Sequence, residues 1–227
     1  MCGRITQKSP PNQLGLRIAT LVEPNFGADF PGPRYNGAPG QQHWVIRRHP
    51  ETGVDRLDRL WWGLVPSWVQ DEKGGRKPIN AKAETVSRLA TFRLAYAKRR
   101  CIVPVDNFFE WQRKGPGPRQ PYAVAMKDGS PFALAGLWEN WRRPGSEEWM
   151  RTFAVVTTAA NTLMSVIHDR MPVILHPEDY DRWLSKTELD PRELLVPYPA
   201  EPMTMWPISR RVNSAANDDP DLLTPVS

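Results

Sequence analysis

The chain has 227 residues, 40% hydrophobic and 24% charged, with 10 Trp and 24 Pro. That composition fills one well-buried domain with many loops and excludes a disordered or low-complexity protein. Thirty Lys and Arg against 25 Asp and Glu leave a net charge of +5. The clusters Lys98-Arg99-Arg100, Arg113-Lys114, Arg142-Arg143 and Arg210-Arg211 suit a polyanionic partner and equally a solvated surface. No run of about 18 apolar residues occurs and the start carries no apolar signal segment, so neither export nor a membrane partner is expected and the location reads as cytoplasmic. Cys2 and Cys101 alone make neither a disulfide framework nor a cysteine zinc site.

In chain order, residues 3–6 read as a short strand, and 12–21 carry apolar residues at roughly helical spacing. Pro- and Gly-rich turns fill 24–42. Residues 43–48 and 54–62 read as a strand pair joined through Glu51-Thr52-Gly53. A long loop follows from Gly63 through Pro66, Trp68, Gly74-Gly75 and Pro78, and loops of that length inside a compact domain are usually functional. The pattern predicts a helix over 83–99 and strands over 101–104, 108–112, 122–126, 132–138 and 149–158, separated by turns in the manner of a mainly antiparallel sheet. Pro177 opens a helix over 178–184, and Asp190 with Glu193 resembles a capping box. The fold class is α+β, a single domain over 1–216. The acidic tail 217–227 is expected to lie on the surface or fray.

Cys2 is small enough for an aminopeptidase to remove Met1, which would place an α-amine and a thiol on one residue. An amine condenses with an aldehyde to an imine, and a thiol beside that imine can close a stable ring. The α-amine titrates near ~7.7–8.0 and a free thiol near ~8.5, so neighbours must orient and move protons. An ordinary thiol at a frayed end has the same pattern.

Asn80, in Asn80-Ala81-Lys82-Ala83-Glu84-Thr85, sits where a short polar side chain can bind or simply cap a helix. Glu110 is a lone carboxylate between aromatics, a candidate general acid. Strand alternation puts it on the Phe108 face, opposite Phe109 and Trp111, which equally allows it to face solvent. His168, in His168-Asp169-Arg170-Met171-Pro172, is the best-placed histidine, on a tight turn that presents side chains. His43, His49 and His176 read as surface or capping residues. Trp61 or Trp62 packs the core, while Trp68, on the loop, is available for base stacking.

Together these segments resemble the SRAP family, the SOS-response-associated peptidases. The ordered series is Met1-Cys2-Gly3-Arg4, Asn36-Gly37-Ala38-Pro39, Trp62-Gly63-Leu64-Val65-Pro66-Ser67-Trp68, Asn80 to Thr85, Arg100-Cys101-Ile102-Val103-Pro104, Phe109-Glu110-Trp111 and His168 to Pro172. The resemblance implies a curved, largely antiparallel, barrel-like sheet with peripheral helices and a basic channel for single-stranded DNA containing abasic sites. It further implies that Cys2 forms a thiazolidine link to the lesion, Asn80 positions the amine, Glu110 assists sugar-ring opening and His168 handles protons at the Schiff base. Arg4, Pro39, Trp68, Lys82, Arg88, Thr157 and Arg170 would line the DNA path. The chain departs from the family pattern at Lys82, where Arg is common, and at Gly37 and Asn107.

The resemblance also implies DNA repair, peptidase activity limited to freeing Cys2, nucleoid association on DNA, a monomer and replication-associated partners. No metal or cofactor is expected. Two other classes fit parts of the pattern: an N-terminal-nucleophile amidohydrolase, whose processed cysteine attacks an amide, and a non-covalent single-strand binding module in which Cys2 is incidental.

Overall fold

The computed structural model describes residues 2–9, 32–49, 51–71, 77–112, 117–188 and 190–226. The helix expected over 12–21 and the basic pair Arg113-Lys114 lie outside these residues.

Thirteen short strands form two sheets among the described residues. In the first, β13 (Met203–Pro207), β8 (Pro121–Met126), β7 (Asn107–Trp111), β1 (Arg4–Gln7) and β2 (Arg34–Gly37) lie side by side in that order, all antiparallel. In the second, β3 (Gln42–Arg48), β4 (Asp55–Trp62), β6 (Arg100–Val105), β9 (Phe132–Arg142) and β10 (Trp149–Ala159) close into a ring. The ring runs β10-β4-β3-β6-β9 and returns to β10. Closure leaves those strands no open edge where they pair. Short strands β5 (Asn80–Lys82), β11 (Arg170–Pro172) and β12 (Ile174–Leu175) add to β10 and β9.

Strand alternation sorts the side chains into three cores. Leu60 and Trp62 of β4, Cys101 and Val103 of β6, and Phe153 and Val155 of β10 face Cys2, Ile5 and Phe108 across the main core. Ile102, Ala154 and Val156 face outward instead, beneath α1 (Arg93–Lys98) and α2 (Tyr180–Leu184). Because β6 is covered on both faces it is buried throughout, which is why it reads as a continuous apolar run. Gln7 ties the two sheets together: its Nε2 donates to the carbonyls of Trp44 at 2.9 Å and Pro104 at 2.7 Å, and its Oε1 accepts from Trp44 N at 3.1 Å.

Two expectations about these elements are corrected. The helix over 83–99 forms only as α1; residues 83–92 are a succession of turns, with Arg88 N bonded to the Thr85 carbonyl and Phe92 N to that of Leu89. Thr85, Val86 and Thr91 are poor helix formers, and the edge of β10 draws in the segment's start, where Ala83 N donates to the Thr157 carbonyl at 2.8 Å. No capping box forms at Asp190: its Oδ1 accepts from the Tyr96 hydroxyl at 2.7 Å, and the turn over Arg192–Leu194 has no side-chain cap. The acidic tail, expected to lie on the surface or fray, is mostly exposed but pinned in place. Asp218 Oδ1 accepts from Tyr35 N at 2.6 Å and Asn36 N at 2.8 Å, and Leu222 is fully buried with Phe109, Ala123, Ile208 and Val212. The tail thereby satisfies the otherwise open edge of β2.

Gly37 has no room for a side chain. A Cβ there would stand 2.9 Å from His43 Nδ1 and 3.1 Å from the Ile5 carbonyl, and would overlap His43 Cε1. His43 is buried rather than at the surface, with Nε2 3.0 Å from the Ala38 carbonyl and its ring edge-on to Trp62. Burial lowers its pKa to about 4, so it is neutral at pH 7. Gly37→Ala should destabilise the fold by about 1–3 kcal/mol through overpacking, read as a lower urea midpoint at unchanged slope.

Candidate functional site

The chain's second residue is held rather than frayed. β1 lies between β7 and β2, with Arg4 opposite Phe109 and Ile5 opposite Phe108. Cys2 is fully buried against the main core. Its Sγ lies 3.9 Å from the Arg4 carbonyl. Burial and, after it, the nearby Glu110 carboxylate push the thiol up to about 12. A thiol so placed stays protonated at neutral pH and reacts only when a neighbour takes its proton.

Asn80 opens β5, which runs parallel to β10 with Asn80 opposite Val155. Its Nδ2 donates to the Cys2 carbonyl at 2.8 Å. Its buried Oδ1 has no hydrogen-bond partner among the described residues. An unfilled acceptor on an amide that already grips Cys2 is suited to an N–H of that same residue.

Glu110 is 3% exposed on β7, on the Phe108 side, and therefore points inward with Cys2 rather than to solvent. Its Oε1 accepts from Trp111 N at 3.1 Å and lies 4.0 Å from His168 Nε2. His168, also 3% exposed, follows the turn over Met164–Val166 by two residues, its N bonded to the Met164 carbonyl at 2.9 Å, and stands two residues before β11. Arg170 N donates to its Nδ1 at 2.8 Å, which puts the proton of the neutral ring on Nε2, facing Glu110. Asp169 Oδ1 stands 2.9 Å from the same Nδ1, a ready partner for the ring once protonated there. Four separate segments bring a thiol, an amide, a carboxyl and an imidazole to one place.

The residues expected along a DNA path divide in two. Trp68 is 57% exposed, Lys82 and Arg88 are exposed, and Pro39 is half-buried. Arg170 is half-buried, bonded to both carboxylate oxygens of Glu84 and to the Thr157 carbonyl at 2.6 Å. Thr157, by contrast, is fully buried, its Oγ1 3.5 Å from the Ala81 carbonyl, so it lies beneath the surface. Arg4 donates to Asn36 Oδ1 at 2.9 Å, to the Asn213 carbonyl at 3.1 Å and to the Val212 carbonyl, which anchors the C-terminal segment. Two basic residues of the sequence clusters are likewise committed inside: Arg100 to the carbonyls of Tyr96, Trp183, Ser185 and Glu188, and Arg99 to Glu139 at 2.7 Å. Among the described residues no helix is long and apolar enough to cross a membrane.

A closed β-barrel shares its core with a second sheet and buries Cys2 between the two. The chain belongs to the SOS response associated peptidase (SRAP) family, whose model matches residues 1–215. It is 42% identical over 194 residues to the abasic site processing protein YoqW of Bacillus subtilis, covering 84% of this chain and 85% of that one. It is 37% identical over 226 residues to the abasic site processing protein YoaM of the same organism, covering 98% and 97%. A crystal structure of a protein from Bacteroides thetaiotaomicron superposes with a TM-score of 0.84 over 100% of both chains at 26% identity.

Proposed function

We propose that this protein, once Met1 is removed, captures abasic sites in single-stranded DNA as a thiazolidine on Cys2 and so shields the lesion. The observation that carries this reading is the hold on Cys2: buried, gripped by Asn80 Nδ2 at 2.8 Å, with Asn80 Oδ1 left to receive the freed α-amine. The relatives' shared description as abasic site processing proteins supports the substrate.

The chemistry follows from the groups present. Glu110 donates and recovers the proton that opens the sugar to its aldehyde. The α-amine adds to that carbon, and His168, beside Glu110, carries protons as water leaves and the imine forms. The thiol then adds to the imine carbon, its proton passing to the nitrogen, and the five-membered ring closes. Asn80 holds the amine throughout, which turns a bimolecular encounter into a positioned one. Pro39, Trp68, Lys82, Arg88 and Arg170 line the strand's path, with Arg4 and Thr157 supporting it from beneath. The peptidase activity in the family's name is the release of Cys2 itself.

Intact mass of the protein before and after exposure to abasic single-stranded DNA tests this. The expected result is loss of Met1, followed by one denaturation-resistant adduct per chain. A chain that has lost Met1 and still forms no adduct would overturn the proposal; glutamine hydrolysis in its place would point to an amidohydrolase.

A further inference from the structure

The contact that closes the barrel is narrow, since β4 and β10 pair only through Trp61 with Thr152 and Trp62 with Phe153. Upstream, β4 continues along β3 to Asp55 and β10 along β9 to Trp149. The two parallel strands therefore diverge, and the wedge between them is a cleft of about 530 Å³.

Its lining has an unusual composition. Trp61 and Trp149 are 41% and 56% exposed, large indoles left at the surface, with the Arg142 guanidinium over the Trp149 ring at 5.8 Å. Arg59, Arg143 and Arg151 line the same cleft, and Glu148 is the one carboxylate among its described lining residues. The cleft also adjoins the segments assigned above to the DNA path. Gly40, beside Pro39, lines it and donates to the Trp62 carbonyl at 2.8 Å. Trp141 lines it too, and its Nε1 donates to the Val69 carbonyl at 2.7 Å, fixing the loop that exposes Trp68.

We infer that this cleft is a second stacking subsite, which takes unpaired nucleotides flanking the lesion. Trp61 and Trp149 receive base faces, and Arg59, Arg143 and Arg151 receive phosphates. The inference rests on the DNA reading given above and adds to it a determinant of strand length and affinity remote from Cys2. Diverging strand edges could also seat an extended peptide, but alternating indoles and guanidinium groups match alternating bases and phosphates.

The test uses undamaged and abasic single strands of increasing length, with 2-aminopurine placed at successive positions on either side of the lesion. For Trp61→Ala and Trp149→Ala, affinity for long undamaged strands should fall at least about fivefold each, the lower end of single-base stacking. The gain in affinity with strand length should shrink, and 2-aminopurine quenching should disappear at the flanking position where the wild type shows it. Arg59→Gln with Arg151→Gln should flatten the slope of log affinity against log salt by about 1.4, or about 0.7 for each cation. Adduct formation at saturating abasic DNA should stay at the wild-type level in every variant. Folded variants with wild-type affinity, length dependence and salt slope would overturn the subsite. Because those readouts use undamaged strands, they decide the subsite even if the wild type forms no adduct, an outcome that counts against the capture chemistry alone.

Discussion

Cys2→Ala should remove the denaturation-resistant adduct outright, a fall on the order of a thousandfold or more in its rate of formation. The α-amine survives that substitution, and Asn80 still reaches the main-chain carbonyl of residue 2, since that bond involves no part of the thiol. An imine should therefore still form, and borohydride should trap it as a reduced linkage. A variant with a non-removable residue ahead of Cys2 should behave differently, because its nitrogen is an amide that cannot add to an aldehyde: neither a stable nor a reducible adduct is expected. The pair separates the two halves of one residue. If Cys2→Ala formed the stable adduct at the wild-type rate, covalent capture through the thiol would be untenable; if the blocked chain did so, the role of the amine would fall. Either variant leaves β1 paired on both sides, so denaturation midpoints near that of the wild type should accompany the loss.

Much of the sheet was legible because its strands are short apolar runs between turns, and β6 and β9 announce burial on both faces. The closure left no periodic signal and was expected only through the family resemblance, which implied a barrel-like sheet, since a parallel contact of two residues between β4 and β10 depends on strand twist and the β9–β10 hairpin. The short strands β2, β5, β11, β12 and β13 were missed for a related reason: most hold two to four residues, and Pro172 and Pro207 read as breakers. At the site, alternation alone placed Glu110 with Phe108, and the deciding fact was which face of β7 met Cys2. The four chemical residues were nameable one by one, but their convergence depends on β1 pairing with β7 more than 100 positions on, β5 with β10 75 positions on and β10 with β11 11 to 15 positions on. Thr157 shows the converse, since a polar residue in a strand pattern gives no hint that both faces are covered. His43 and Gly37 were unreadable because the ring fills a space that only the folded chain creates.

Glu110→Gln should move two measurements in opposite directions. After burial, the Glu110 carboxylate is the second cause that raises the Cys2 thiol to about 12, so removing its charge should lower that value. In a Cys101→Ala background, where Cys2 is the remaining thiol, thiolate absorbance should appear at lower pH in the Gln variant than with Glu110 present. On thiol acidity alone, the variant would then be the better nucleophile at pH 8 or 9. Yet a neutral amide can neither donate nor recover the proton that opens the sugar, and positioned acid–base groups contribute about 10²–10⁴ in rate. Capture of a cyclic abasic site should therefore slow by about a hundredfold, while reaction with a simple aldehyde that needs no ring opening should be spared. A merely structural role for Glu110 predicts parallel losses on both substrates, and that pattern would sink the assignment. The spared reaction on the open aldehyde is the decisive arm, because it holds the nucleophile, its burial and its amide partner constant and changes only whether a proton must move before the carbonyl exists.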